Sequence, residues 1–254
     1  MSTLPMPTLP SSMMPNPLPL ALTALTLLDS VPMMKHLGIV VLWLSLVITT
    51  TVTAKHWAKD RPEVPRKILH IGSGNVILLA WWMQIPAWAG ILASLGASAI
   101  TLLSYKFPVL PLIDSVGRKS LGTFFYAMSI GILIAVFWPM GMPYYAVIGV
   151  LVMTWGDGMA ALVGQRWGRH SFTVWGMKKS WEGTLAMAIA SYTVSGLTLW
   201  AVQGATPATW GIAAAIALCA TLLELLSKLG IDNLTVPLGS GAIAFWLNHL
   251  WLGL

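Results

Sequence analysis

The chain has 254 residues, 57% of them hydrophobic and 9% charged, with a formal net charge of +6 and mean hydropathy +0.78. Such a composition excludes an ordinary soluble domain and predicts an all-α, polytopic bundle of transmembrane helices. A single cysteine, Cys219, excludes an intrachain disulfide and a thiolate metal site. The basic residues form no soluble block with interleaved aromatics, so nucleic acid is not expected, and anionic head groups or an anionic substrate account for them better.

In chain order, residues 1–34 read as a disordered or weakly structured lead, rich in Pro, Met, Ser and Thr at its start. The apolar stretch Leu18 to Leu28 is too short to span and has no basic region before it, which fits a cleaved signal peptide poorly. Residues 35–254 read as one transmembrane domain. Apolar segments of spanning length fall at about 37–54, 67–84, 86–105, 120–138, 143–164, 180–202, 208–228 and 234–252, which predicts seven or eight spans. The connections after the first, third, fifth and seventh segments hold 13 of the 14 Lys and Arg residues, whereas those near Gln84, Pro139 and Gln203 hold none. By the positive-inside rule, the basic face is cytoplasmic. Trp57, Trp81, Trp82, Trp88, Trp138, Trp200, Trp210 and Trp251 sit near predicted span ends, where the interface favours indole.

Four polar segments meet that basic face. In the first, Arg66, Lys67 and His70 open the second span, with Arg66, His70 and Gly74 at four-residue spacing. They suit either phosphate binding or snorkelling anchors. Asp114, Arg118 and Lys119 form a glycine-flanked second segment that lacks the P-loop spacing, and an Asp114–Arg118 pair stabilising the connection suits it equally.

In the third segment, Asp157 lies inside the fifth span, where a carboxylate costs several kcal/mol unless compensated. Gly156, Ala160, Gly164 and Gly168 form a small-residue stripe beside it, suited first to close packing of another helix. Arg166, Arg169, His170, Lys178 and Lys179 follow. Ser180 is then an expected N-cap and Glu182 stands in the first turn of the sixth span, where the helix dipole favours it. The fourth segment contains Glu224 and then Asp232–Asn233 before the last span, a capping arrangement or a set of metal or ribose ligands. Two carboxylates and several cations at one membrane surface suit a magnesium–nucleotide complex.

Together, Arg66–Lys67–x–x–His70, the run Trp155 to Gly164, Lys178–Lys179–Ser180–Trp181–Glu182–Gly183–Thr184 and Asp232–Asn233 resemble the CTP-dependent polyprenol kinases. The resemblance covers about Pro65 to Pro237 and is most similar in form to the phytol kinases. It implies transfer of the CTP γ-phosphoryl group to the hydroxyl of phytol or a related prenol, giving the prenyl monophosphate and CDP. It also places Arg66, Lys67, Asp157 and Gly164 on the family's central polar positions, with Lys178, Lys179 and Glu182 on its second motif.

On that basis Asp157, His70 and Glu182 are the expected catalytic residues, with Asp157 or His70 taking the alcohol proton. Arg66, Lys67, Gly164, Lys178, Lys179, Arg118 and Asn233 are expected to bind the nucleotide. Asp157, Glu182 and Asp232 are expected to hold Mg2+. The isoprenoid tail would lie between spans, with its hydroxyl at the cytoplasmic surface of a plasma or photosynthetic membrane. A phosphatidate-type cytidylyltransferase, which releases pyrophosphate, is one alternative. An ion-coupled transporter using Asp157 and Glu182 is the other.

Overall fold

The helices follow the apolar segments closely. A computed structural model describes residues 17–58, 61–107 and 121–252, in two compact units, Met1–Ile39 and Val40–Leu254. The described part of the first is helical. Helix α1 (Pro17–Trp57) begins inside the segment expected to be a weakly structured lead, since proline is tolerated in a first turn.

The second unit is an all-α bundle. It contains the later part of α1, then α2 (Glu63–Gly74), α3 (Val76–Trp82), α4 (Ala87–Lys106) and α5 (Gly122–Phe137). There follow α6 (Pro143–Leu151), a π turn (Val152–Asp157), α7 (Gly158–Trp167), α8 (Trp181–Gln203), α9 (Pro207–Leu225) and α10 (Asp232–Leu252). Among the described residues, five stretches are long and apolar enough to cross a membrane: Met33–Trp57, Ala87–Tyr105, Pro143–Trp167, Trp181–Gln203 and Pro207–Leu225. Gly122–Phe137 is a shorter apolar helix. The expected span at 67–84 is two helices broken at Asn75.

Pro143–Trp167 is the axis of this unit, with 61% of its most apolar window buried against 11% for Met33–Trp57. Tyr145, Val147, Ile148, Val150, Val152 and Met153 are enclosed there by Leu133 of α5, Met187 and Leu199 of α8, Ile212 and Ile216 of α9 and Val236 of α10. Leu92, Leu95, Leu218 and Leu222 point outward, as side chains facing lipid would.

The Gly156–Gly168 stripe serves helix contact. A Cβ on Gly156 would lie 2.5 Å from Met187 Sδ, and one on Gly183 would lie 2.8 Å from the Ala160 carbonyl oxygen. Helix α8 therefore fills the groove that the small residues leave.

An element that the hydropathy pattern does not reveal joins α7 to α8. Strands β1 (Ser171–Val174) and β2 (Met177–Ser180) pair antiparallel, with Phe172 opposite Lys179 and Thr173 opposite Lys178. Their two-residue turn, Trp175–Gly176, has φ of 51° and 80°, the left-handed backbone that matches strand twist in a tight hairpin. Ser180 caps α8 as expected, accepting from the Gly183 N–H at 3.1 Å.

Candidate active site

The site forms where α2 crosses the π turn. A π turn widens the helix by one residue and re-aims the side chains that follow, and such turns recur at functional sites. Here it ends at Asp157. The Lys67 ammonium donates to Asp157 Oδ2, and the Lys67 side chain is 2% exposed and that of Asp157 17%. This is the cation that the buried carboxylate demanded. His70 Nε2 stands 3.4 Å from the same oxygen and is buried without a hydrogen-bond partner.

A second layer holds the imidazole. The His70 ring lies on Tyr126 at 4.5 Å between centroids. The Tyr126 hydroxyl donates to the His70 carbonyl at 3.0 Å and approaches Thr154 Oγ1 at 3.3 Å. Gly74 lets these groups close up, because a Cβ there would collide with Thr154 Oγ1 and the Tyr126 hydroxyl. Trp155 Nε1 donates to Asn75 Oδ1 at 3.0 Å, which fixes the π turn to the break between α2 and α3.

Two further carboxylates lie beyond the pair. Asp232, the first residue of α10, lies in the field of Asp157, Lys67 and Glu224, and burial followed by the Asp157 charge pushes its carboxyl above the usual range. Lys179 of β2 pairs with Glu224 of α9 at 2.8 Å, both side chains largely buried. Lys67, His70 and Asp157 thus form one cluster where α2 meets the π turn, with the Asp232 carboxyl at the head of α10 in its field, and Lys179–Glu224 form a second buried pair between β2 and α9.

The other expected site residues engage partners of their own. Arg66 is 42% exposed and donates from Nε to Glu63 at 2.8 Å. Glu182 pairs with His170 Nδ1 at 2.7 Å and accepts from the His170 N–H at 3.2 Å. Gly164 packs against Gly183 and Ser180, and Lys178 is exposed on β2. Asn233 Nδ2 donates to the Gly230 carbonyl at 3.3 Å, closing the turn before α10. Asp114, Arg118 and Lys119 lie outside the described residues.

The acid lies inside the fifth apolar segment, as expected. Asp157 lies ten residues before Trp167, about 15 Å by helical rise, so the Lys67–Asp157 pair is recessed within the bundle. Tyr126, Thr154 and Asn75 were not foreseen as site residues. Asn75 adjoins the Arg66–Gly74 motif, but Tyr126 lies in an ordinary apolar run with no local signal.

No family model matches the chain, and no solved structure matches it significantly. The chain is 48% identical over 224 residues to a phytol kinase of Synechocystis, covering 88% of this chain and 96% of that one. It is 28% identical to a probable chloroplastic phytol kinase of Triticum aestivum, over 73% of this chain and 67% of the relative. A probable chloroplastic phytol kinase of Glycine max is 30% identical, over 72% and 67%.

Proposed function

The chain belongs to the phytol kinase family, and from that membership we propose that it transfers the γ-phosphoryl group of CTP to the hydroxyl of phytol or a related prenol within a membrane. The observation that carries the chemical part is the buried Lys67–Asp157 pair with the unpartnered His70 Nε2 beside it. Phosphoryl transfer depends on positioning and charge stabilisation more than on covalent chemistry. A recessed cation, a carboxylate and an imidazole in contact are suited to both. In this reading, the neutral His70 imidazole receives the hydrogen bond of the prenol hydroxyl at Nε2 and takes its proton there, and the Asp157 carboxylate facing that nitrogen stabilises the imidazolium that forms. Lys67 and Lys179 face phosphate oxygens, with Arg66 and Lys178 nearer the basic surface.

Magnesium fits this donor set in kind. Asp157 and Asp232 offer hard oxygen donors, with Asp232 in the field of Asp157. Among the described residues no three ligating side chains converge. In this reading Asp157 and Asp232 would hold Mg2+ together with nucleotide phosphates and water. When bound, it would offset the charge of the β- and γ-phosphates. Glu182, held by His170 on the hairpin side, acts in this reading on the conformation of the loop.

The recessed position of Asp157 suits a lipid alcohol, whose hydroxyl reaches the site from between helices while the basic face, taken as cytoplasmic, admits the nucleotide. The test is incubation of purified protein with γ-labelled CTP or ATP and phytol, geranylgeraniol or farnesol. Label on the prenol together with CDP is expected. Pyrophosphate release would indicate a cytidylyltransferase, and nucleotide turnover independent of any prenol would overturn the reading.

A further inference from the structure

The β1–β2 hairpin carries features that phosphoryl transfer does not use. It is joined by short connections to two apolar helices, since α7 ends at Trp167 and α8 begins at Trp181, four and one residues from its strands. Both tryptophans are exposed, at 60% and 63%. Its tip is Trp175, 67% exposed and at φ 51°. A bulky residue in the left-handed region is an outlier where Asn or Gly would sit without strain, and two thirds of its surface lies open here. Arg166, stacked on Trp167 at 5.9 Å, and Arg169 are exposed beside these rings. From Gly158 to Leu185, Glu182 is the one acid, and His170 occupies it.

We propose that this hairpin docks on anionic membrane lipid, with Trp175 in the boundary between head groups and acyl chains and with Arg166 and Arg169 on lipid phosphates. The inference rests on the membrane setting of the proposed function. Charge complementarity selects the occupant: an unneutralised pair of arginines flanked by exposed indoles matches an anionic interface, where indole is favoured and cations are attracted. A four-residue strand extends about 13 Å. A hairpin standing away from the bilayer would hold Trp175 that far into water, whereas one lying along the interface places it among the head groups. Phe172 against Trp181 at 5.0 Å and Lys179 on Glu224 at 2.8 Å tie the hairpin to α8 and α9, which restricts its swing.

The test is a lipid-contact measurement on the full chain, which does not depend on kinase turnover. An environment-sensitive fluorophore is attached at Trp175→Cys, or in a second variant at exposed Thr173→Cys, in a Cys219→Ala background, and the protein is placed in nanodiscs. The expected result is blue-shifted emission and quenching by nitroxide-labelled lipid. Both should be stronger with anionic lipid, and should be reduced by high salt and by Arg166→Gln with Arg169→Gln. A probe open to aqueous iodide and indifferent to lipid quencher and lipid charge would overturn the proposal. So would protection by CTP but not by anionic lipid, which would assign the hairpin to the nucleotide.

Discussion

Lys67 of α2 reaches across 90 residues of sequence to Asp157 at the end of the π turn, and the two bury their charges against each other inside an otherwise apolar bundle. Such a pair costs desolvation that its attraction only partly returns. A hydrophobic pair of similar size would serve packing better. Its presence beside His70 and in the field of Asp232 points to chemistry.

His70 is placed to act on the acceptor hydroxyl. His70→Gln keeps a polar side chain but removes the base, and kcat is expected to fall about 100-fold, the lower range for a general base. The KM for CTP should change little. Steady-state kinetics with phytol and CTP varied separately check this split.

Gly74 is required by close approach. Gly74→Ala drives a methyl group into Thr154 and Tyr126, with an expected loss of about 1–3 kcal/mol, as for overpacking elsewhere. Adding Thr154→Ala should recover part of that loss, because it removes one of the two colliding groups. Thermal unfolding of the two variants in detergent measures the difference.

The Lys179–Glu224 pair fastens the hairpin to α9. Lys179→Met leaves the Glu224 carboxylate largely buried and unpaired, which should cost about 3 kcal/mol, at the lower end for a broken buried pair. Lys179→Met with Glu224→Leu removes both charges and should recover most of the stability. The thermal midpoints of the two variants decide it.

Asp232 should show the opposite sign. Burial and the neighbouring Asp157 raise its carboxyl, so the ionised form costs stability as pH rises through the ordinary carboxylate range. Asp232→Asn is therefore expected to raise the melting temperature at neutral pH. That gain should vanish below the carboxylate range, where the acid is neutral whether folded or not. The same change should lower kinase activity, the exchange typical of strained sites. Melting curves at several pH values test both halves.

The longer helices were legible because their apolar runs exceed what a soluble helix needs, whereas the run at 67–84 hid a break at Asn75; the burial of Asp157 was legible because a carboxylate in such a run demands a partner. Which cation answers it was not. Four-residue spacing puts Arg66, His70 and Gly74 on one face, yet the structure turns Lys67 inward and leaves Arg66 with Glu63. That choice depends on where α2 crosses the π turn, which a linear pattern does not contain. The hairpin was hidden for a different reason. Ser171 to Ser180 is short and polar and reads as a loop, and its one signal is a Trp175–Gly176 turn whose first residue is unusual there. The glycine stripe was read first as helix packing, and α8 fills it.

The most direct measurement of the central claim, that the Lys67–Asp157–His70 cluster transfers phosphate to a prenol, is single-turnover phosphorylation of phytol by Asp157→Asn. It should be paired with Lys67→Met/Asp157→Asn, so that an unpaired buried ammonium does not obscure the result, and with melting curves for both. The predicted outcome is a folded double variant, with phosphoryl transfer reduced roughly 100-fold or more in both proteins, as for loss of a preorganised electrostatic group. Transfer at near wild-type rate in either folded protein would contradict the account.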